Sequence, residues 1–247
     1  MSTGYLISFI ILFVLQAIST PLFLKAETPD PCKKSLFWKM VCSTLFIITG
    51  VVAMICSGNH TMFATMMIVG LGFSWLGDFL LHVKSGDKLF FVFGLFAFLI
   101  AHIFYITAYS TAFGKFFPDE SFLGVPETIA LVLFTTIAFF TQTLLKSEFG
   151  EALFPVLLYM DALGLMVIKA FSLGIRIIAS GVIEHSVLVG ILLMVGAAFF
   201  AISDYTLAIL CFKKGVNKHN WLRYLNIYTY FFGQMFLSLT ILYIIPA

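Results

Sequence analysis

Six ionisable residues stand inside long apolar runs of the chain: Asp78, His82, His102, Asp161, Lys169 and Asp204. An ionisable side chain in such a run costs a few kcal/mol or more in a bilayer, so each one needs a chemical or structural reason. Asp78 and His82 are four residues apart and share one helical face. That spacing admits a carboxylate–imidazole pair or two ligands of a metal site, with His102 or Asp204 as the third ligand that zinc requires. It also admits an interfacial His82 that snorkels beside Lys84. Asp161 and Lys169 are eight apart, about two turns on one face, and Lys169 is close enough to a span end to reach water. Tyr105, Tyr159, Tyr228, Tyr230 and Gln234 are weaker polar companions. Two buried carboxylates brought together divide naturally into one protonated acid and one ionised base near neutral pH.

The runs that carry these residues define the class of protein. Of 247 residues, 61% are hydrophobic and only 11% charged, and the mean hydropathy is +1.07. Soluble domains carry about 25% charged residues, so a cytosolic enzyme and a disordered regulator are both excluded. The net charge of +2 leaves no field for a polyanion, and no nucleic-acid partner is expected. Cys32, Cys42, Cys56 and Cys211 form no CxxC and read as free, mostly buried thiols. No GxSxG, HExxH or P-loop pattern occurs, and there is no arginine series of the voltage-sensor kind.

About 20 apolar residues cross a bilayer as a helix. The apolar runs predict spans at roughly 4–24, 36–57, 62–82, 88–111, 124–145, 151–172, 186–211 and 222–245, with the end of the sixth the least defined. The first reads as a retained helix, since no basic residue precedes it. The connections after spans one, three, five and seven hold eleven Lys and Arg, Lys39 and Arg223 among them, against Lys115 and Arg176 on the other side. The positive-inside rule then places those four loops in the cytosol and both termini in the lumen or exterior.

The chain also matches itself. Gly70-Leu71-Gly72-Phe73-Ser74-Trp75-Leu76-Gly77-Asp78 lies over Gly196-Ala197-Ala198-Phe199-Phe200-Ala201-Ile202-Ser203-Asp204, and Phe98 with Ala101-His102 lies over Tyr230 with Gly233-Gln234. The expected fold is all-α: a single transmembrane domain over 1–247 of eight helices, built as two duplicated parallel four-helix halves at roughly 1–115 and 120–247. Asp78 and Asp204 then sit one to two turns inside the cytosolic surface, where a polar pocket would collect most of the ionisable residues. Trp75, Tyr228 and Tyr230, close to the carboxylates in depth, are candidates for a cation-binding wall.

Gly77-Asp78, Ala101-His102, Pro155 through Tyr159, Ile202-Ser203-Asp204 and Tyr230-Phe231-Phe232-Gly233-Gln234 together resemble the YhhN-like lysoplasmalogenase family. The resemblance covers nearly the whole chain, in order. It implies hydrolysis of the vinyl-ether bond of lysoplasmalogens, giving a fatty aldehyde and glycerophosphocholine or glycerophosphoethanolamine. It also implies a lysophospholipid substrate within membrane lipid, no cofactor, and for animal members the endoplasmic reticulum. Asp161 stands where a small or apolar residue is expected, and Phe231 and Phe232 where tyrosine or a small residue is common.

A vinyl ether is hydrolysed by protonating its carbon–carbon double bond, which calls for one acid and one carboxylate beside the resulting cation, as in glycoside cleavage. Asp78 and Asp204 are the candidate catalytic pair. His102, Tyr159 and Gln234 are candidates for orienting water or the glycerol oxygen, Trp75 and Tyr230 for facing the headgroup, and Lys84, Lys88 or Arg223 for meeting its phosphate. Two other readings remain open from the residues: a zinc-dependent membrane lipid hydrolase using Asp78, His82 and His102, and a non-enzymatic proton-coupled transporter or lipid-binding protein.

Overall fold

A computed structural model describes residues 3–28, 31–144, 153–213 and 221–245. Eight helices and no strand occur among them: α1 (Thr3–Glu27), α2 (Lys33–Ser57), α3 (Met62–Val83), α4 (Lys88–Phe116), α5 (Val125–Leu144), α6 (Leu153–Ser180), α7 (Ser186–Phe212) and α8 (Trp221–Leu239), the last followed by a 3₁₀ turn at Thr240–Leu242. All except α5 are long and apolar enough to cross a membrane, whereas the described apolar stretch of α5, Val125–Phe140, is shorter. α6 runs eight residues beyond its predicted end. Ser172 and Arg176, too polar to extend an apolar run, are held there by bonds to Glu127 and Glu120 of the preceding segment.

Short polar sequences end the helices. Gly58, at φ 63°, closes α2 by donating its N–H to Ile55 O, a left-handed cap that glycine adopts freely. Thr61 accepts from Ala64 N to start α3, and Asp87 accepts from Leu89 N and Phe90 N to start α4.

The tightest pairs are α3 with α4 and α7 with α8, and α4 packs on α6 as α8 packs on α2. Small residues bring these backbones together. A Cβ at Gly70 would lie 3.2 Å from Ala101 O, one at Gly196 3.2 Å from Gly233 O, and one at Gly233 3.0 Å from Gly196 O. In lipid such close packing replaces the hydrophobic effect as the force between helices. Gly233→Val is therefore expected to destabilise the protein by about 1–3 kcal/mol, the cost of overpacking a filled contact. Thermal unfolding in detergent measures this, and an unchanged midpoint would show that α7 and α8 do not meet there.

At the end of the bundle away from the α1–α2, α3–α4 and α7–α8 links, Lys169 departs from the expectation that it snorkels. It is fully buried, donates to the carbonyl of Phe122 and lies 4.2 Å and 4.5 Å from the ring centres of Phe113 and Phe122. The segment between α4 and α5 folds over it and supplies the partners that water would have given. Arg176 anchors the same segment, at 2.5 Å from Glu120 and 3.3 Å from Glu127.

Asp161 departs in the other direction. It is exposed on the outer surface of α6, where Thr135 of α5 donates to it at 2.8 Å. Of the cysteines, Cys42 alone is buried, with Cys56 partly covered and Cys32 and Cys211 exposed.

Candidate active site

A cavity of about 1260 Å³ opens at the end where α1 meets α2, α3 meets α4 and α7 meets α8. Asp78 and Asp204 both line it, and each is almost fully buried. Their depth follows from the helices: Asp78 is five residues from the end of α3 and Asp204 eight from the end of α7, between about one and two turns inside.

The two carboxylates have unequal partners. Asp78 lies 3.3 Å from the Lys39 ammonium and accepts from Ser43 at 2.6 Å and from Tyr230 at 2.7 Å. One cation and two hydroxyls satisfy a buried anion. Asp204 accepts a hydrogen bond from the Tyr159 hydroxyl, and among the described residues no cation reaches it.

The sequence places Lys39 among the loop charges. It is instead a buried residue of α2, six positions inside the helix, so the basic loops lose one of their eleven charges. The signal was in the sequence, because a lysine inside an apolar span needs a buried partner, and a carboxylate in a neighbouring span is one that can supply it. Lys146, Lys214 and Lys218 lie outside the described residues.

His82 lines the cavity but neither snorkels nor pairs with Asp78. Its Nε2 is 2.8 Å from Ser35 Oγ, its Nδ1 is 3.8 Å from Glu27 Oε1, and its ring stands edge-on to Phe23. It ties α3 to α1 and α2. Glu27, the last residue of α1, takes a two-pronged bond from Arg223 of α8. Arg223 also donates to Asn226 at 2.9 Å, and Asn226 donates to the carbonyl and hydroxyl of Ser203, one residue before Asp204. The mouth is thus clasped by α1, α2, α3, α7 and α8. Cys32, in the link between α1 and α2, also lines it, and hydrogen bonds from Ser35, backbone first, hold its thiol below the ordinary value.

Tyr159 and Tyr230 reach the cavity wall. His102 lies outside the lining, between Tyr159 at 5.1 Å and Phe200 at 4.9 Å, with Nδ1 2.6 Å from the Phe98 carbonyl. Its Nε2 has no partner among the described residues. Gln234 is also outside the lining and accepts from Tyr105 at 3.0 Å. Trp75 faces α2, donating to Thr44 at 3.1 Å and stacking on Phe79, so Tyr230 reaches the cavity wall and Trp75 does not.

Among the described residues no three His, Cys, Asp or Glu side chains converge to hold a metal. His82 points to Ser35 and Glu27, and His102 to Phe98, so the donors of the zinc alternative diverge.

Seven helices long and apolar enough to cross a bilayer, with buried carboxylates in a cavity at one end of their bundle, make this an integral, multi-pass membrane protein with a polar interior site. No curated protein and no solved structure matches the chain. The YhhN family model matches residues 34–241, and the chain belongs to the YhhN family.

Proposed function

We propose that the protein is a lysoplasmalogenase that hydrolyses the vinyl-ether bond of alkenyl lysophospholipids, with Asp204 as acid and Asp78 as the ionised carboxylate. The unequal pairing of the two aspartates carries this reading. A buried carboxylate beside an ammonium stays charged, and one bonded to a neutral phenol without a cation is free to hold a proton. Family membership supports the same reaction class.

Asp204 gives its proton to the second carbon of the alkenyl chain, and the first carbon and the ether oxygen share the positive charge. Asp78 faces that cation and takes a proton as water adds to the first carbon. The hemiacetal then breaks its bond to the glycerol oxygen, which takes the proton from Asp78 and leaves as the alcohol, while Asp204 takes the hydroxyl proton and the chain leaves as an aldehyde, so both carboxyls return to their starting state. One water is consumed, and the reaction calls for neither oxidant nor cofactor. Tyr159 fixes one oxygen of Asp204 and Tyr230 one oxygen of Asp78, so that both face the cavity.

Two features support the further reading that eight spans form two duplicated halves. Phe98 and Tyr230 stand at matching positions of α4 and α8, and Leu81 and Leu207 at matching positions of α3 and α7, and all four line the cavity. The partners of the two aspartates also correspond by element, since Lys39 lies on α2 and Tyr159 on α6, the second helix of each half. Divergence between these two residues gives one charged and one neutral carboxylate. The proposed location is the endoplasmic reticulum membrane, with the basic loops in the cytosol.

Purified protein in detergent with lysoplasmenylcholine, with and without EDTA, tests the activity. Aldehyde released equally in both is expected. Release that EDTA stops and zinc restores would move the chemistry to a metal, and no aldehyde from folded protein would overturn the assignment.

A further inference from the structure

The carboxylate cavity has a neighbour. A groove of about 570 Å³ runs between Phe134 of α5, Leu163 of α6, Ala201, Ile202 and Tyr205 of α7 and Leu225 of α8, and Met160 lines both the groove and the cavity. Its walls are apolar, and the hydroxyl of Thr206 is turned back onto its own helix, 2.9 Å from Ile202 O and 2.8 Å from Ser203 O. Ile202, Tyr205 and Trp221 are exposed along it. A slot without polar partners on the flank of a membrane bundle has nothing to offer a polar ligand, and burying a hydrocarbon chain is what it can do.

We propose that this groove binds the hydrocarbon chain of a single-chain lipid whose headgroup occupies the carboxylate cavity, the chain crossing between the two over Met160. Continuity supplies the argument. Met160 follows Tyr159, the residue that holds Asp204, so a chain passing over Met160 brings its first carbons beside that carboxylate. The bond to be cut is the junction between glycerol and chain, and it would lie where the polar cavity gives way to the apolar groove.

The other half of the molecule explains why one chain suffices. Trp75 occupies the position in α3 that Ala201 occupies in α7, and Phe79 the position of Tyr205. Trp75 stacks on Phe79 with ring centres 6.2 Å apart and bonds Thr44, so an indole fills the place where the second half has a methyl group and a groove. A lipid with two chains would find a slot for one.

The choice of substrate rests on the vinyl-ether reading, whereas chain binding does not, and the test separates them. A lysophosphatidylcholine with a diazirine at the end of its chain is photolysed with the full-length protein in detergent, and the adducts are mapped by mass spectrometry. Adducts on Leu163, Ile202 and their neighbours, competed by unlabelled lysophosphatidylcholine, are expected. Ala201→Trp, which copies the filled half, is expected to lower that labelling about tenfold, with Ala201→Phe as the smaller filler should the tryptophan variant not fold. Adducts that resist competition, persist in the filled variant or fall elsewhere on the bundle would mark ordinary surrounding lipid and overturn the proposal. Competed labelling without aldehyde formation would remove the vinyl-ether reading and keep the groove, and aldehyde formation without groove labelling would do the reverse.

Discussion

On the proposed mechanism, replacing Asp204 by asparagine is expected to lower the rate of aldehyde release by about 100- to 10,000-fold, the range for loss of a general acid, while the protein stays folded in detergent. Asparagine keeps the size of the side chain, and its carbonyl oxygen still accepts the Tyr159 hydroxyl. The amide has no proton to give to carbon. No cation among the described residues depends on Asp204, so neutralising it strands no buried charge. Rate measurements beside thermal unfolding of the same preparation check both halves of the expectation. A variant within a few-fold of the parent rate would remove Asp204 from the acid role.

The second large effect concerns Lys39 and falls on stability as well as rate. Lys39→Met leaves the Asp78 carboxylate buried with two hydroxyl donors and no cation. Breaking a buried pair by removing one partner costs about 3–5 kcal/mol, because the remaining charge is uncompensated. Lys39→Met combined with Asp78→Asn removes both charges and is expected to regain most of that stability while remaining inactive. Unfolding midpoints of the two single variants and the double variant form a thermodynamic cycle. Additive losses would mean that the ammonium and carboxylate do not interact, and that Asp78 owes its charge to something else.

The elements of this fold were legible because a span is set by the length of an apolar run, a property of consecutive residues. The predicted spans begin within three residues of the observed helices. Asp78 and Asp204 were legible for a related reason, since a carboxylate is costly anywhere along such a run. Partners were harder to read, because they depend on how each helix is rotated about its axis and which neighbour it meets. Lys39 lies inside its own predicted span yet close enough to its start to count with the loop charges, and its pairing with Asp78 appears only once α2 and α3 are packed together. Trp75 lies about one turn from Asp78 on nearly the same face of α3, yet its indole bonds Thr44 of α2 and stays out of the cavity. Asp161 was grouped with the interior polar residues by depth alone, and rotation puts it on the outside with Thr135. The clasp of Glu27 by Arg223 joins residues 196 positions apart, and no local pattern in the chain announces it.

The cavity ends within the bundle. Beyond its floor Tyr105, Tyr109, Phe113 and Met166 are buried, and Lys169 with the segment above it covers the far end. A site that opens at one end of the bundle meets one leaflet first. On the proposed reaction, lipids of the opposite monolayer would reach the aspartates only after flipping across, so that pool would be consumed at the rate of transbilayer exchange. The glycerol phosphodiester would leave for water, and the aldehyde would return to the leaflet that supplied its parent.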